Sequence, residues 1–558
     1  MKASDLLVRC LENEGITHIF GVPGEENADF MLSLQGSTIQ FILCRHEQGA
    51  AFMADAYGRL TGNPAGCLGT LGPGATNLLT GVANANMDHA PILVLTGQGA
   101  TTRQHKESHQ VMNVVEMMRP VTKWAHAIYV PANIPELVRK AVRLTRTEKC
   151  GAVHLELAEN VAEFEAPAEA RPLAVRRFIR PESVPWMQDR AAEAIRQARK
   201  PIIIAGNGAI RKRASSELRA FCELTRIGVA STFMGKGCVD CDAPYYLYTI
   251  GLQAKDHVAT AVADADLVLA VGYDLVEYPP HLWNLGCDKT ILHIDFLPAE
   301  IDRHYHPQIE LVGDIAGALA GLTQRLSQDT SFDFDLSGQA EARRRMNEEL
   351  VAAADEDGRG VIKPQKVVAD VRAALGREDI LFSGVGAHKM WVARHYHSHE
   401  PNTCIIPNGF CSMGMALPGA IGAHVAREAG LLNDNHARLV AIAGDGDFLM
   451  NLQEMETAHR LKADITVMVW EDGGYNLISW KQQTEFGRHT DLSFGNPDWR
   501  QLAESFGWQG QIVDDAADLA PAIDTALNHR GPSLIVVPID YRENPKLTER
   551  LGKIERAL

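Results

Sequence analysis

Two short acidic turns are the residues of this sequence best placed to do chemistry. The first, Gly444-Asp445-Gly446-Asp447, and the second, Glu471-Asp472-Gly473-Gly474, each follow a continuous apolar run that predicts a buried strand. An amphipathic helix is predicted from Asn451, between the two runs, so the whole segment is expected to form one βαβ unit. Open parallel sheets bind ligands at the carboxyl ends of their strands. We therefore expect Asp445 and Asp472 to share one ion.

A hard dication and a diphosphate are the ligands that suit such a pair of turns. Mg²⁺ prefers near-octahedral oxygen coordination by one or two carboxylates, phosphate oxygens and water. Glycine lets the backbone approach the anion closely, and the N–H groups that open a helix favour it electrostatically. Taken alone, the first turn is equally consistent with the acidic end of an ordinary strand. The second acidic turn, at the next strand end, favours the ligand-binding interpretation.

The two turns resemble the signature of the thiamine-diphosphate-dependent enzymes, which is Gly-Asp-Gly, a short spacer, and an Asn or Asp. The resemblance implies that Asp445, Asp472 and the backbone carbonyl of Gly474 bind Mg²⁺. An aspartate at 472, where most members have asparagine, is a departure that catabolic acetolactate synthases share. Contacts to the cofactor are implied for the remaining residues of both turns: Gly446, Asp447, Tyr475, Asn476 and Leu477.

An amino-terminal motif, Arg45-His46-Glu47-Gln48-Gly49-Ala50-Ala51, extends the resemblance. In this family its glutamate contacts the pyrimidine nitrogen of the cofactor from the neighbouring subunit. Protonation of that nitrogen shifts the aminopyrimidine to the imino form, which removes the thiazolium proton. The resemblance therefore implies that Glu47 is the activating acid. By itself, a glutamate that opens an Ala-rich helix is better explained by the helix dipole.

Further segments match motifs of the same family. The run 408–415 resembles the segment whose large apolar residue holds the cofactor in its bent shape, which would be Met413, with the backbone of Cys411 receiving the pyrimidine amine. A methionine in such a run is otherwise usually a core residue. A second diphosphate-binding turn and a glycine loop beside the pyrimidine are implied for Val385, Gly386, Ala387 and His388, and for Gly72 and Asn77.

Five residues are candidates for the reaction centre itself. Glu47 is joined by Gln110, which stands where the synthases place a glutamine facing the reacting atoms, and by its neighbour His109. Glu25 stands where 2-oxo acid decarboxylases have an acidic residue; it either protonates an intermediate and releases aldehyde, or lies in the cap or first turn of the next helix. Lys481 either binds an acceptor carboxylate or points to solvent.

The middle of the chain indicates which branch of the family it resembles. Gly272-Tyr273-Asp274-Leu275-Val276-Glu277-Tyr278 resembles the catabolic synthases, and the Arg-Phe-Asp-Asp-Arg element of the flavin-binding synthases is absent. No FAD is therefore expected. The implied reaction is decarboxylation of pyruvate and condensation with a second pyruvate to 2-acetolactate. A decarboxylase or aldehyde lyase of the same family is the alternative, and a non-catalytic cofactor-binding protein is the alternative from another class.

The alternating pattern of strands and helices along the sequence predicts an α/β fold with three doubly wound parallel-sheet domains, and these elements must position the residues named above. We expect a pyrimidine-binding domain over 1–170, a central Rossmann-like domain over 185–330 and a diphosphate- and Mg²⁺-binding domain over 355–545. A proline-rich linker and a polar helical connector separate them. The first and third domains have similar layouts, which suggests a duplicated fold. In the central domain, Gly206-Asn207-Gly208 is interpreted as a plain strand-to-helix turn.

Composition excludes some classes of protein. The 558 residues carry a formal charge of −16, which argues against nucleic acid and anionic membranes as partners. No apolar run is long enough to span a bilayer, and a cytoplasmic protein is expected. A small 2-oxo acid is the expected substrate. Because the resemblance places Glu47 and Asp445 of one site on two chains, a homodimer is the minimum assembly and a homotetramer is expected.

Overall fold

Three six-stranded sheets follow one another along the chain, and every pair of neighbouring strands is parallel. The computed structural model describes residues 1–547 apart from 177–178, 212–213, 253–256, 330 and 355–361. Parallel strands need crossover helices on both faces, which explains the continuous apolar strands. The predicted α/β class with three doubly wound domains is confirmed. Among the described residues no helix is both long and apolar enough to cross a bilayer.

The first sheet has the strand order β2-β1-β3-β4-β6-β5. Its strands β1 to β6 are His18–Gly21, Gln40–Leu43, Ala65–Gly69, Ile92–Gln98, Trp124–Ile128 and Ala152–Ala158. The helices α1 to α7 are Ala3–Asn13, Ala28–Gln35, Glu47–Thr61, Pro73–Met87, Val114–Met118, Ile134–Arg146 and Glu159–Glu163. The long helix α3 is buried along most of its length, which its small residues allow.

The central sheet has the order β12-β11-β10-β7-β8-β9, the arrangement of a Rossmann fold. Strands β7 to β12 are Pro201–Ala205, Val229–Ser231, Tyr246–Thr249, Leu267–Val271, Thr290–Asp295 and Ile309–Val312. Helices α8 to α12 are Pro185–Gln197, Ala214–Thr225, His257–Ala263, Ile315–Leu326 and Ser337–Ala354. The polar connector is helical as predicted, but its helix α12 packs on this domain through Ala342 and Met346.

The third sheet has the order β14-β13-β15-β16-β18-β17, which repeats the order of the first sheet strand for strand. Strands β13 to β18 are Ile380–Ser383, Cys404–Ile405, Leu439–Gly444, Thr466–Glu471, Gln509–Ile512 and Ser533–Pro538. Helices α13 to α20 are Pro364–Ala374, Ala387–His395, Ala416–Glu428, Asp445–Phe448, Glu454–Arg460, Asn476–Phe486, Trp499–Ser505 and Leu519–Asn528. The shared order accounts for the similar layouts seen in the sequence.

The helix predicted from Asn451 is wrong in its position. A single helical turn, α16, begins at Asp445 directly after β15, and the longer helix α17 begins only at Glu454. Between them the side chain of Asn451 donates a hydrogen bond to the carbonyl of Gly414 at 2.8 Å. That bond holds the backbone in a bend, because it connects this stretch to another segment of the domain.

The first and third domains share one apolar core. Helix α3 crosses α15, and residues such as Phe52, Met53 and Ile421 belong to the same cluster of buried side chains. A Cβ atom added to Gly422 would lie 2.3 Å from the carbonyl oxygen of Met53. The two helices therefore meet backbone against backbone, which brings the helix that carries Glu47 close to the third domain.

Candidate functional site

The two aspartates predicted to share an ion lie side by side at the carboxyl ends of β15 and β16. Asp445 is buried, and its Oδ2 atom accepts the backbone N–H groups of Asp472 at 3.2 Å and Gly473 at 2.8 Å. Asn496 donates to the same oxygen at 2.8 Å. The side chain of Asp472 accepts a hydrogen bond from Asn476 at 2.8 Å. Adjacent parallel strands bring the two turns together, as the βαβ unit predicts.

The electrostatics of this pair favour a cation. Burial raises the pKa of Asp472, and the carboxylate of Asp445 raises it further, while the hydrogen bond from Asn476 opposes the shift. Two carboxylates at such close range resist simultaneous ionisation. A divalent cation between them would reverse this effect by stabilising both charges.

Asp447 and His388 contribute buried polar atoms that face the same pocket. The Oδ1 atom of Asp447 accepts the N–H groups of Val385 at 3.2 Å and Gly414 at 2.7 Å, so it joins two of the predicted cofactor segments. Its Oδ2 atom and Nε2 of His388 have no hydrogen-bond partner among the described residues and lie 3.9 Å apart. Burial lowers the pKa of His388 to about 3 and raises that of Asp447 to about 7. Buried polar atoms of this kind are suited to hydrogen-bond with a bound group.

The predicted cofactor-bending segment reaches the pocket through Met413. Two hydrogen bonds hold it there, from the N–H of Gly414 to Asp447 and from Asn451 to the carbonyl of Gly414. Cys411 precedes it in a left-handed conformation with φ of 63°, and its thiol lies 3.0 Å from Nζ of Lys389. A non-glycine residue in this conformation is strained, which is typical of functional segments.

Most of the predicted cofactor-binding residues line this single pocket. Those that line it are Val385, Gly386, Ala387, His388, Met413, Asp445, Gly446, Asp447, Asp472, Gly474, Tyr475, Asn476 and Leu477. The prediction omitted Tyr541, which also lines the pocket, and Asn496, which holds Asp445. Neither residue lies in a glycine-rich turn directly after a strand, so no local sequence pattern predicts its place in the site.

Glu47 lies in a second cluster, at the carboxyl ends of the first sheet. Its Oε2 atom accepts a hydrogen bond from Asn77 at 3.0 Å, and a Cβ atom on Gly74 would lie 3.2 Å from its Oε1 atom. In the same loop Gly72 has φ of 51°, and a Cβ there would lie 2.9 Å from the carbonyl oxygen of Gln110. The structure thus groups Glu47, Gly72, Asn77 and Gln110. It does not bring Glu47 into the lining of the third domain's pocket.

Three further candidates occupy exposed positions in this chain. Glu25 is the first residue of the 3₁₀ helix Glu25–Asn27, after β1, as one of the two interpretations predicts. His109 lies beside Gln110 in the exposed loop between β4 and α5. Lys481 points from α18, a helix without buried residues. None of the three lines the third domain's pocket in this chain.

The chain matches three family models in order. These are the N-terminal TPP binding domain of thiamine pyrophosphate enzymes over residues 1–117, the central domain over 188–322 and the C-terminal TPP binding domain over 384–537. The chain therefore belongs to the thiamine pyrophosphate enzymes, and it is an enzyme that uses thiamine diphosphate.

Within that family the chain is similar to acetolactate synthases. It is 33% identical to the acetolactate synthase of Bacillus subtilis, over 99% of this chain and 96% of that protein. It is 34% identical to the catabolic acetolactate synthase of Raoultella terrigena, over 98% of this chain and 97% of that protein. The large subunit of acetolactate synthase isozyme 2 of Escherichia coli is 29% identical over 98% of this chain.

Proposed function

We propose that this enzyme decarboxylates pyruvate and joins the remaining two-carbon unit to a second pyruvate. Two pyruvate anions and a proton then give 2-acetolactate and carbon dioxide. The observation that carries the proposal is the pocket of Asp445, Asp472 and His388, because its donor set fits a diphosphate with its cation. The full-length similarity to acetolactate synthases supports the choice of reaction.

Magnesium and the diphosphate have natural partners in this pocket. Asp445, Asp472 and the carbonyl of Gly474 are the oxygen ligands proposed for Mg²⁺, the remaining positions being left to phosphate oxygens and water. Nε2 of His388, which has no partner in the part of the chain that the structure describes, is a suitable hydrogen-bond donor to a phosphate oxygen. The other predicted pocket residues are proposed to contact the same group. When bound, thiamine diphosphate supplies a nucleophilic carbon and an electron sink.

The chain's own residues orient that chemistry and move protons. Glu47 is proposed to exchange a proton with the pyrimidine ring of the cofactor, and Asn77 holds the orientation of its carboxylate. Met413 is proposed to press against the cofactor, and the backbone of Cys411 to accept its amine. Gln110 and His109 are proposed to face the bound 2-oxo acid from the loop beside Gly72. Lys481 is proposed to attract the carboxylate of the acceptor.

Two chains are proposed to build each site. Glu47 is absent from the lining of the pocket that its own chain forms, whereas the proposed chemistry needs it there. A homodimer with two-fold symmetry would supply it from the partner, and a homotetramer is the proposed final assembly. All ten cysteines are free thiols, which suits the reducing cytoplasm as the proposed location.

The central domain is proposed to bind no flavin. Its strand ends form the crevice in which Rossmann folds bind dinucleotides. Here the buried carboxylate of Glu277 accepts the N–H groups of Asn207 at 3.0 Å and Asp274 at 3.2 Å. Within the Gly206-Asn207-Gly208 turn, Glu277 thus takes the N–H of Asn207, and the N–H groups of Gly206 and Gly208 donate to the carbonyls of Val271 and Gly272. These are donors that a pyrophosphate would otherwise use.

Product identification tests the proposed reaction. The enzyme is incubated with pyruvate, thiamine diphosphate and Mg²⁺, and the product is converted with acid to acetoin and measured. A coupled alcohol dehydrogenase assay records acetaldehyde in parallel. Acetoin after acid treatment supports carboligation. Acetaldehyde as the sole product would refute it in favour of a decarboxylase, with Glu25 as the first residue to replace.

A further inference from the structure

Glu454 is a fully buried carboxylate of the third domain that accepts hydrogen bonds from backbone N–H groups of the first domain. It opens α17, and its Oε1 atom accepts the backbone N–H of His46 at 2.9 Å. The N–H of Arg45 reaches its two oxygens at 3.2 and 3.3 Å. Thr457 donates its hydroxyl to Oε2 at 2.6 Å. The two N–H groups immediately precede Glu47, the first residue of α3.

The fit between this carboxylate and α3 depends on a glycine. A Cβ atom at Gly49 would lie 2.7 Å from Oε1 of Glu454 and 2.9 Å from the next two carbon atoms of that side chain. Alanine would otherwise be the better residue inside a helix. Burial raises the pKa of Glu454, and its hydrogen bonds with Thr457, Arg45 and His46 oppose the shift. A buried carboxylate is tolerated only with such partners, so the contact is geometrically specific.

The stretch that carries Glu454 is also joined to the cofactor pocket. It begins with the Asp445 turn, and further along Asn451 donates to the carbonyl of Gly414, beside Met413. The N–H of Glu454 donates to the carbonyl of Asn451 at 3.0 Å. One short segment therefore connects the pocket of a chain with the start of that chain's own α3.

We propose that Glu454 is a positioning residue that sets the location of Glu47 by holding the backbone of Arg45 and His46. The proposal rests on the proposed role of Glu47 and on the two-chain site. Because Glu47 then serves the cofactor of the partner, Glu454 links the pocket of one subunit to the activating acid of the other site. A displacement of the start of α3 would move Glu47 away from Asn77 and from the ring it protonates.

Proton exchange at the thiazolium C2 of bound thiamine diphosphate tests this proposal in the intact holoenzyme. The rate is measured by quenched deuterium exchange and NMR at saturating cofactor and Mg²⁺, without pyruvate, so it does not depend on which product the enzyme forms. Cofactor affinity is measured in parallel by fluorescence titration. The variants are Glu454→Ala, Glu454→Gln and Gly49→Ala. Glu456→Ala is the matched control, because Glu456 lies in the same helix and pairs with Arg460 instead.

Glu454→Ala and Gly49→Ala are expected to slow the exchange about tenfold or more, with cofactor affinity within about twofold of wild type. Glu454→Gln should restore most of the rate, because its carbonyl accepts the same N–H groups. The proposal would be overturned if Glu454→Ala and Gly49→Ala exchanged the C2 proton as fast as Glu456→Ala. A loss of cofactor affinity in parallel with the loss of exchange rate would overturn it as well. If Glu454→Ala does not fold, Gly49→Ala decides alone by the same criteria. Unchanged exchange in Glu47→Gln would instead refute the proposed role of Glu47.

Discussion

At the scale of single residues, Glu47 combines burial with one well-defined polar contact. It is 7% exposed, and Asn77 donates a hydrogen bond to its carboxylate. In the pocket of the third domain, by contrast, Asp445 and Asp447 each accept hydrogen bonds from at least two backbone N–H groups. A carboxylate with few hydrogen bonds is suited to proton exchange, whereas a multiply bonded one is suited to metal binding.

Replacement of Glu47 by glutamine tests its role as the activating acid. The variant keeps the shape and the contact with Asn77 but loses the acidic proton. We expect turnover to fall by about 10²-fold or more, with thiamine diphosphate affinity nearly unchanged. Asn77→Ala should cause a smaller loss, about tenfold, because it removes only the orienting hydrogen bond. Steady-state kinetics and fluorescence titration measure both effects, and unchanged turnover of Glu47→Gln would contradict the assignment.

His154 predicts how stability depends on pH. Complete burial lowers the pKa of this histidine to about 3, and Nε2 lies 2.8 Å from the hydroxyl oxygen of Thr96. The unfolded chain binds a proton near pH 6.5 while the folded chain does not. The free energy of unfolding should therefore fall as the pH drops below 6.5, by about 2 kcal/mol between pH 8 and pH 5 from this residue alone.

Urea denaturation of His154→Gln at the two pH values measures that contribution. The variant is expected to lose less stability on acidification than the wild type, although it is less stable at pH 8. Replacement of the exposed His105 by glutamine is the control and should leave the pH dependence unchanged. An identical pH dependence in His154→Gln and the wild type would contradict the prediction.

At the scale of elements, the crossing of α3 and α15 determines where Glu47 lies relative to the third domain. Gly422 allows the two backbones to touch, because a Cβ there would overlap the carbonyl oxygen of Met53. Gly419, in the same helix, faces the ring of Phe382 in the same way, at 2.8 Å. Interiors packed this closely transmit a displacement instead of absorbing it.

Gly422→Ala is expected to destabilise the enzyme by about 2 kcal/mol, since the added methyl group overpacks a backbone contact. Gly338→Ala makes the same chemical change in the exposed first turn of α12, where the nearest atom, of Asp264, is 3.5 Å away. That control should be neutral or slightly stabilising. Thermal and urea denaturation measure both variants. Equal stability of the two would show that α3 and α15 have room to separate.

At the scale of the whole molecule, the two clusters of one chain are complementary but separate. Glu47 with Asn77 forms one, and Asp445 with Asp472 forms the other. The repeated strand order of the first and third sheets suits a symmetric assembly, because each presents its strand ends in the same arrangement. Two-fold symmetry would place the Glu47 cluster of each chain against the Asp445 cluster of its partner, which gives two sites per dimer.

Complementation between inactive variants tests the two-chain site. Glu47→Gln and Asp472→Ala are each expected to be inactive alone. When both chains are co-expressed, a mixed dimer has one site with both residues intact and one with neither. Random pairing should therefore restore about a quarter of the wild-type activity. Failure to recover activity in isolated mixed dimers would show that each chain builds its own site.

The apolar strands and the acidic turns could be predicted because their patterns are local. The strands Leu439–Gly444 and Thr466–Glu471 coincide with the apolar runs that precede the two acidic turns. Asp445 and Asp472 follow adjacent runs of this kind, so the rule for parallel sheets placed them together. The helix predicted from Asn451 was misplaced because the side chain of Asn451 is hydrogen-bonded to the carbonyl of Gly414. That bond connects residues far apart in sequence, so no local preference predicts it.

The sequence by itself determined the class of fold through its strand periodicity. Its resemblance to the thiamine-diphosphate enzymes predicted most of the residues that line the pocket of Asp445, and it predicted Glu47 as the activating acid. Only the tertiary structure decided how these parts are connected. It shows Glu454 against the backbone of Arg45, made possible by Gly49, and it separates Glu47 from the pocket of its own chain. Such contacts depend on how whole domains pack. Residues far apart in sequence meet there, and their spacing along the chain does not encode the contact.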